Sequence, residues 1–178
     1  MSQTVDTDEL DDERDSIPEL APAVQLPPAQ RGPRDGSPLL PLAFFEQLPK
    51  TDLHVHLDGS LRLETIIDLA KQQGVELPSM DPAELADAMN LGKNCGSLVE
   101  YLKAFDVTLR VLQTREALYR VAYELAEDAA RENVRYMEVR YAPMLHTQKG
   151  LKITSVVEAV LAGLRAAHEK LGIEANVI

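Results

Sequence analysis

Asp52-Leu53-His54-Val55-His56-Leu57-Asp58-Gly59-Ser60 is the stretch from which the rest of the chain can be read. Polar and apolar residues alternate from Asp52 to Asp58, a period of two that specifies a strand. Gly59-Ser60 then turns the chain. One row of this strand, Leu53, Val55 and Leu57, is apolar and expected to pack against helices. The other row, Asp52, His54, His56 and Asp58, is polar and expected to point inward. Burying four such side chains is costly unless they are paired or bind a metal. Two histidines on one face of a strand stand about 6.5–7 Å apart at Cα, close enough for both imidazoles to reach one ion. A bare His-x-His also arises by chance on ordinary strands, so the pair alone leaves both possibilities open.

Outward from this stretch, helices and strands alternate. Leu63, Ile66, Ile67 and Ala70 mark a helix that stops at Gly74. Asp81-Pro82-Ala83-Glu84 opens a short helix, with Asp81 as cap, Pro82 in the first position and Glu84 closing a capping box. Leu98, Tyr101, Leu102, Phe105, Leu109 and Leu112 form one apolar stripe on a helix starting near Ser97. Thr114 caps another helix, with stripe Leu118, Val121, Ala122, Leu125 and Ala129. Val134 to Tyr141 reads as a second strand, with Met137, Val139 and Tyr141 on one face and Tyr136, Glu138 and Arg140 on the other. Glu138 and Arg140 are expected to form a structural ion pair. Ser155 and Glu158 form a capping box for a last helix bearing Val157, Val160, Leu161, Leu164 and Leu171. Residues 172–178 open a third strand.

Strands separated by helices imply parallel βαβ units. The fold class is therefore α/β. A closed (β/α)8 barrel takes about 250 residues, so residues 41–178 are expected to be the N-terminal part of such a barrel, truncated. Barrel enzymes place their sites at the C-terminal ends of the strands, where His54, His56 and Asp58 fall. Catalytic zinc usually has three protein ligands and one open position. The remaining histidines are His146, expected to be a solvated loop residue near the barrel mouth, and His168, expected to be structural on its helix face.

Residues 1–40 differ from the rest. They hold nine acidic residues against three basic ones, so they carry −6 of the net −11, and they contain no aromatic residue. Such a Pro-rich acidic segment is expected to be a disordered tail. It lacks the basic start and apolar core of a secretory signal, and no run is long enough to span a bilayer. The acidic balance argues against nucleic-acid binding. A single cysteine, Cys95, allows no intrachain disulfide and fits a reducing, cytoplasmic compartment. It also excludes the zinc site of cytidine deaminases, which needs P-C-x-x-C.

The run Leu48-Pro49-Lys50-Thr51-Asp52-Leu53-His54-Val55-His56-Leu57-Asp58-Gly59-Ser60-Leu61 resembles the opening motif of adenosine deaminases. Ser97-Leu98 through Phe105-Asp106 is similar to that family's substrate-gate helix, and Tyr136-Met137-Glu138-Val139-Arg140-Tyr141-Ala142-Pro143 to its second-strand signature. The resemblance covers residues 42–178, in family order. It implies a (β/α)8 barrel with one zinc, for which His54 and His56 match the first two ligands. It implies that Asp58, beside His56, receives the ribose 5′-hydroxyl, and that Leu98, Tyr101, Leu102 and Phe105 wall the purine. The same stripe would equally serve as ordinary core.

The implied reaction is hydrolytic deamination of adenosine and 2′-deoxyadenosine to inosine and ammonia, a step of purine metabolism. Zinc brings the pKa of water near neutrality, and a protonated carboxylic acid donates to N1 as water adds at C6. The family's other ligands and its proton donor belong to later strands, so no catalytic residue of that kind falls in this chain, which alone is expected to be inactive. Related substrates, an aminofutalosine-type nucleoside or adenine, remain alternatives, although adenine deaminases tend to carry Glu where this chain has Asp58. Phosphoesterases and amidohydrolases also use inward His-x-His, without the continuation Asp58-Gly59-Ser60-Leu61. An inactive fragment serving only as an interaction protein is the non-enzymatic alternative.

Overall fold

The structure is a computed structural model that describes residues 40–89 and 98–178, with backbone alone for residues 98–101 and 103. The expected disordered tail, but for Leu40, lies outside the described residues, and so does Cys95. In chain order the elements are α1 (Leu42–Gln47), β1 (Lys50–His56), α2 (Leu63–Gln73), α3 (Pro82–Ala88), α4 (Leu98–Val111), α5 (Arg115–Arg131), β2 (Val134–Arg140), α6 (Ile153–Leu171) and β3 (Glu174–Val177). Short 3-10 turns occupy Leu57–Gly59 and Pro143–His146. The three strands form one parallel sheet in the order β1-β2-β3. That is the sequential, parallel βαβ arrangement of an opening barrel, as the alternation of elements requires.

The local signals act as chemistry dictates, with two changes. Gly74 ends α2 in the left-handed conformation, which glycine adopts without a Cβ penalty. Thr114 caps α5 by accepting from the Ala117 amide. Asp81 caps α3 by accepting from Ala83 and Glu84. Glu84 does not reach back to Asp81, however; it accepts from the Ser79 hydroxyl at 2.7 Å, and Ser79 Oγ accepts the Asp81 amide at 3.1 Å. The expected Ser155–Glu158 capping box is absent: α6 already starts at Ile153, with Lys152 as a cap that makes no side-chain bond. Arg115 instead donates to the Ser155 carbonyl and to Glu158.

The core lies between the sheet and the helices. Leu57, Ile66, Leu85, Leu112, Leu118, Met137, Val139, Leu164 and Ile173 are essentially inaccessible, and each buried side chain of this size stabilises by about 1.5–3 kcal/mol. The packed face of α6 is Val156, Ala159, Val160, Gly163, Leu164 and Ala167, one position earlier than the large residues suggested at Val157. Ala159, Gly163 and Ala167 recur every fourth residue and let α5 approach closely. A Cβ at Gly163 would stand 2.3 Å from the Tyr119 carbonyl oxygen.

The alternation of β1 is interrupted. Asp52 pairs with Met137 and Val55 with Val139, so β1 holds one residue more than β2 between these pairs. Such a bulge flips the alternation. Asp52 therefore shares the helix side with Val55, beside Leu125, Ala129 and Met137, and does not belong to the row of His54 and His56. Leu53, expected to pack on helices, is 56% exposed. Among the described residues, no helix is long and apolar enough to cross a membrane.

Candidate active site

His54 and His56 lie at the C-terminal end of β1 on the same side of the sheet, with ring centroids 5.4 Å apart. Contrary to the sequence expectation, neither is buried. Arg140, paired with His56 across the sheet, donates from Nη1 to His54 Nε2 at 2.9 Å. It does not take up the expected ion pair with Glu138, whose Oε1 accepts from the Tyr136 hydroxyl at 2.9 Å. A lone pair of His54 thus faces a guanidinium on two exposed side chains. Arg140 can swing away and leave that lone pair to a cation.

Asp58 sits in the 3-10 turn that ends β1. It is the one member of the polar row that is buried, at 5% exposure. The turn is held by the Ser60 hydroxyl, which donates to the His56 carbonyl at 2.6 Å. Asp58 Oδ1 stands 3.5 Å from His56 Nδ1, near enough to favour a proton on that nitrogen and to leave Nε2 as the coordinating atom. Imidazoles suit zinc, and the two histidines fit as part of a ligand set. No group of three or more potential ligands occurs among the described residues.

A cavity of about 400 Å³ opens over these groups, lined by His56, Asp58, Leu102, Phe105, Asp106, Leu109, Arg140, Tyr141, Ala142 and Leu145. Phe105 packs edge-on against His56, with centroids 6.1 Å apart. Leu102 lies at the rim, 48% exposed. The side chains of Leu98 and Tyr101 lie outside the described residues. The cavity has an apolar wall from α4 and polar groups from the strand ends, the usual composition of a small-molecule site.

The far wall depends on residues that sequence reasoning missed. Gln113, 2% exposed, donates to the carbonyls of Leu109 and Leu145 and accepts from the Gln148 amide. Gln73 donates to the Val111 carbonyl. His146, expected to be solvated, is fully buried, and its ring Nδ1 lies 3.0 Å from the Leu112 carbonyl. These side chains satisfy the orphan carbonyls at the end of α4 and bind the loop after β2 to it. Burial lowers the His146 pKa, against opposing effects of the Leu112 carbonyl and the Asp58 charge. His168, expected to be structural on an apolar helix face, is exposed and lies near the Ile173 carbonyl and Glu174 at the end of α6.

The chain is similar to known proteins in both sequence and fold. A family model for adenosine deaminase matches residues 49–178. The chain is 48% identical over 134 residues to adenosine deaminase of Clostridium botulinum, covering 75% of this chain and 40% of that protein. Adenosine deaminase of Vibrio atlanticus matches with the same identity and coverage. The chain thus spans about two fifths of the length of the curated relatives it matches. Among solved structures, a zinc-bound amidohydrolase from Burkholderia ambifaria superposes with a TM-score of 0.65 and 31% identity, over 82% of this chain and 39% of that one. An adenine deaminase from Arthrobacter aurescens gives 0.65 and 29%, over 72% and 38%. An Arabidopsis N6-mAMP deaminase gives 0.59 and 33%, over 76% and 41%.

Proposed function

Because the chain belongs to the adenosine deaminase family, we propose that it supplies the first zinc ligands and the sugar-binding wall of an enzyme that hydrolyses adenosine and 2′-deoxyadenosine, releasing ammonia and leaving a carbonyl at purine C6. The observation that carries this reading is the single cavity wall on which His56, the buried Asp58 and the ring of Phe105 meet.

In this reading His54 and His56 hold one zinc ion, as the bound metal of the Burkholderia amidohydrolase supports. When bound, zinc supplies Lewis acidity that makes water a competent nucleophile near pH 7. The chain's own residues bind and orient. Asp58 accepts a hydrogen bond from the ribose 5′-hydroxyl. Phe105, Leu102 and Leu109 cover the purine and exclude water. The proton for N1 and the remaining ligands come from outside the residues assigned here.

The charged groups of the cavity favour a nucleoside over a nucleotide. Among the described residues Asp58 and Asp106 stand against Arg140 alone, and a negative lining repels a 5′-phosphate. The deciding experiment measures zinc content and adenosine turnover in the full-length protein and in its His54→Ala and His56→Ala variants. Joint loss of metal and activity is expected. Stoichiometric zinc retained in the double variant would refute the ligand assignment.

A further inference from the structure

Three buried polar atoms beside the cavity carry no hydrogen bond among the described residues: Asp58 Oδ1, Tyr141 Oη and His146 Nε2. They belong to one neighbourhood. The rings of Tyr141 and His146 lie 5.7 Å apart, Asp58 and Tyr141 line the same cavity, and the Asp58 charge acts on His146. A buried polar atom without a partner is costly, so three together call for a common solution.

Their proton inventory defines it. A carbonyl oxygen can only accept, so His146 Nδ1, 3.0 Å from the Leu112 carbonyl, carries the ring proton. Burial keeps the imidazole neutral, which leaves Nε2 as an acceptor. Asp58 Oδ1 is also an acceptor, and the 3.5 Å approach of His56 Nδ1 is too long to satisfy it. Burial pushes the Tyr141 phenol up to about 12, so it keeps its proton and donates. Two acceptors and one donor are the complement of one water molecule, which offers two hydrogens and free lone pairs. A direct bond from Tyr141 to His146 would leave Asp58 Oδ1 with only the long 3.5 Å approach of His56 Nδ1.

We propose that one buried water joins these residues, accepting from Tyr141 Oη–H and donating to His146 Nε2 and Asp58 Oδ1, and that Tyr141 and His146 thereby act as positioning residues for the Asp58 carboxylate. With Oδ1 tied inward, Oδ2 is the oxygen presented to the substrate. This last step rests on the proposed role of Asp58 as acceptor of the sugar hydroxyl.

The test has two arms. In a high-resolution crystal structure of the full-length protein, one ordered water should lie within hydrogen-bond distance of all three atoms. A dry site, or a direct bond between Tyr141 Oη and either partner, overturns the proposal. In kinetics, Tyr141→Phe and His146→Asn are compared with the parent on adenosine and on 5′-deoxyadenosine. His146→Asn retains an amide donor for the Leu112 carbonyl and removes the acceptor for the water. Each variant should lose about three- to tenfold in kcat/KM for adenosine, mainly through KM, the equivalent of one neutral hydrogen bond. The loss on 5′-deoxyadenosine should be small. Equal losses on both substrates show a merely structural role and overturn the positioning claim. A parent enzyme that turns over neither substrate refutes the deaminase reading instead, and the proposal then stands or falls on the water.

Discussion

The ring of Phe105 rests against Gly59: a Cβ built on Gly59 would lie 3.1 Å from Phe105 Cζ and 3.3 Å from its Cε1. Only a residue without a side chain lets the α4 wall close down on the turn that carries Asp58. Replacing Gly59 by Ala should push the ring outward. Because the obstructing atoms are the far end of a rotatable side chain, the stability cost should be near the low end for overpacking, about 1 kcal/mol. The site should suffer more. KM for adenosine is expected to rise several-fold with little change in thermal midpoint, as steady-state kinetics and calorimetry on the same preparation would reveal. Unchanged KM would mean that Phe105 does not shape the substrate pocket.

Gly163 makes the opposite kind of contact. There the obstacle is backbone, the Tyr119 carbonyl at 2.3 Å, with Ala122 Cβ at 3.0 Å. Gly163→Ala gains about 1 kcal/mol in helix propensity but forces α5 and α6 apart. Overpacking of about 1–3 kcal/mol, with no soft neighbour to yield, should outweigh that gain. The variant is expected to unfold at lower urea concentration than the parent. A higher midpoint would show that the helices separate at little cost.

His146 gives the protein an acid-side weakness. Burial holds its pKa below the ordinary 6.5. The unfolded chain takes up a proton at a pH where the folded protein does not, so stability falls as pH drops. The contribution is complete above about 6.5 and is lost as pH falls through that value toward the lowered folded one. Urea midpoints measured between pH 7 and pH 5 should therefore decline more steeply for the parent than for His146→Asn. Parallel curves would indicate that the imidazole takes up its proton equally in the folded and unfolded chain, and would refute this contribution.

How far the sequence carried the reading is clear from particular residues. The period-two run around His54 and His56, the glycine stop at Gly74 and the Thr114 cap are local signals, and the fold keeps them. Asp52 leaves the row of His54 and His56 because the bulge that turns it is set by pairing with β2, a partner 85 residues away in the chain. The face of α6 was displaced because Ala159, Gly163 and Ala167 pack through smallness, which a count of large apolar residues overlooks. The roles of His146, Gln113 and Arg140 depend on carbonyls and rings brought in from distant elements, and no spacing in the chain announces them.

Asp58 carries the selectivity of the proposed site. A hydrogen bond to a charged acceptor contributes about 1.5–3 kcal/mol, and about 1.4 kcal/mol corresponds to a factor of ten. Asp58→Ala should therefore lose roughly 10- to 150-fold in kcat/KM for adenosine, and much less for 5′-deoxyadenosine, which has no hydroxyl to donate. Because Asp58 is buried, truncation also opens a small void, so Asp58→Asn serves as the shape-preserving control. The amide keeps one neutral acceptor, and its loss on adenosine should fall between parent and Asp58→Ala. Zinc content measured alongside separates this effect from any influence on His56, whose Nδ1 lies 3.5 Å from Asp58 Oδ1. Equal losses on both nucleosides, with zinc retained, would assign Asp58 to holding the turn after β1 and remove it from substrate recognition.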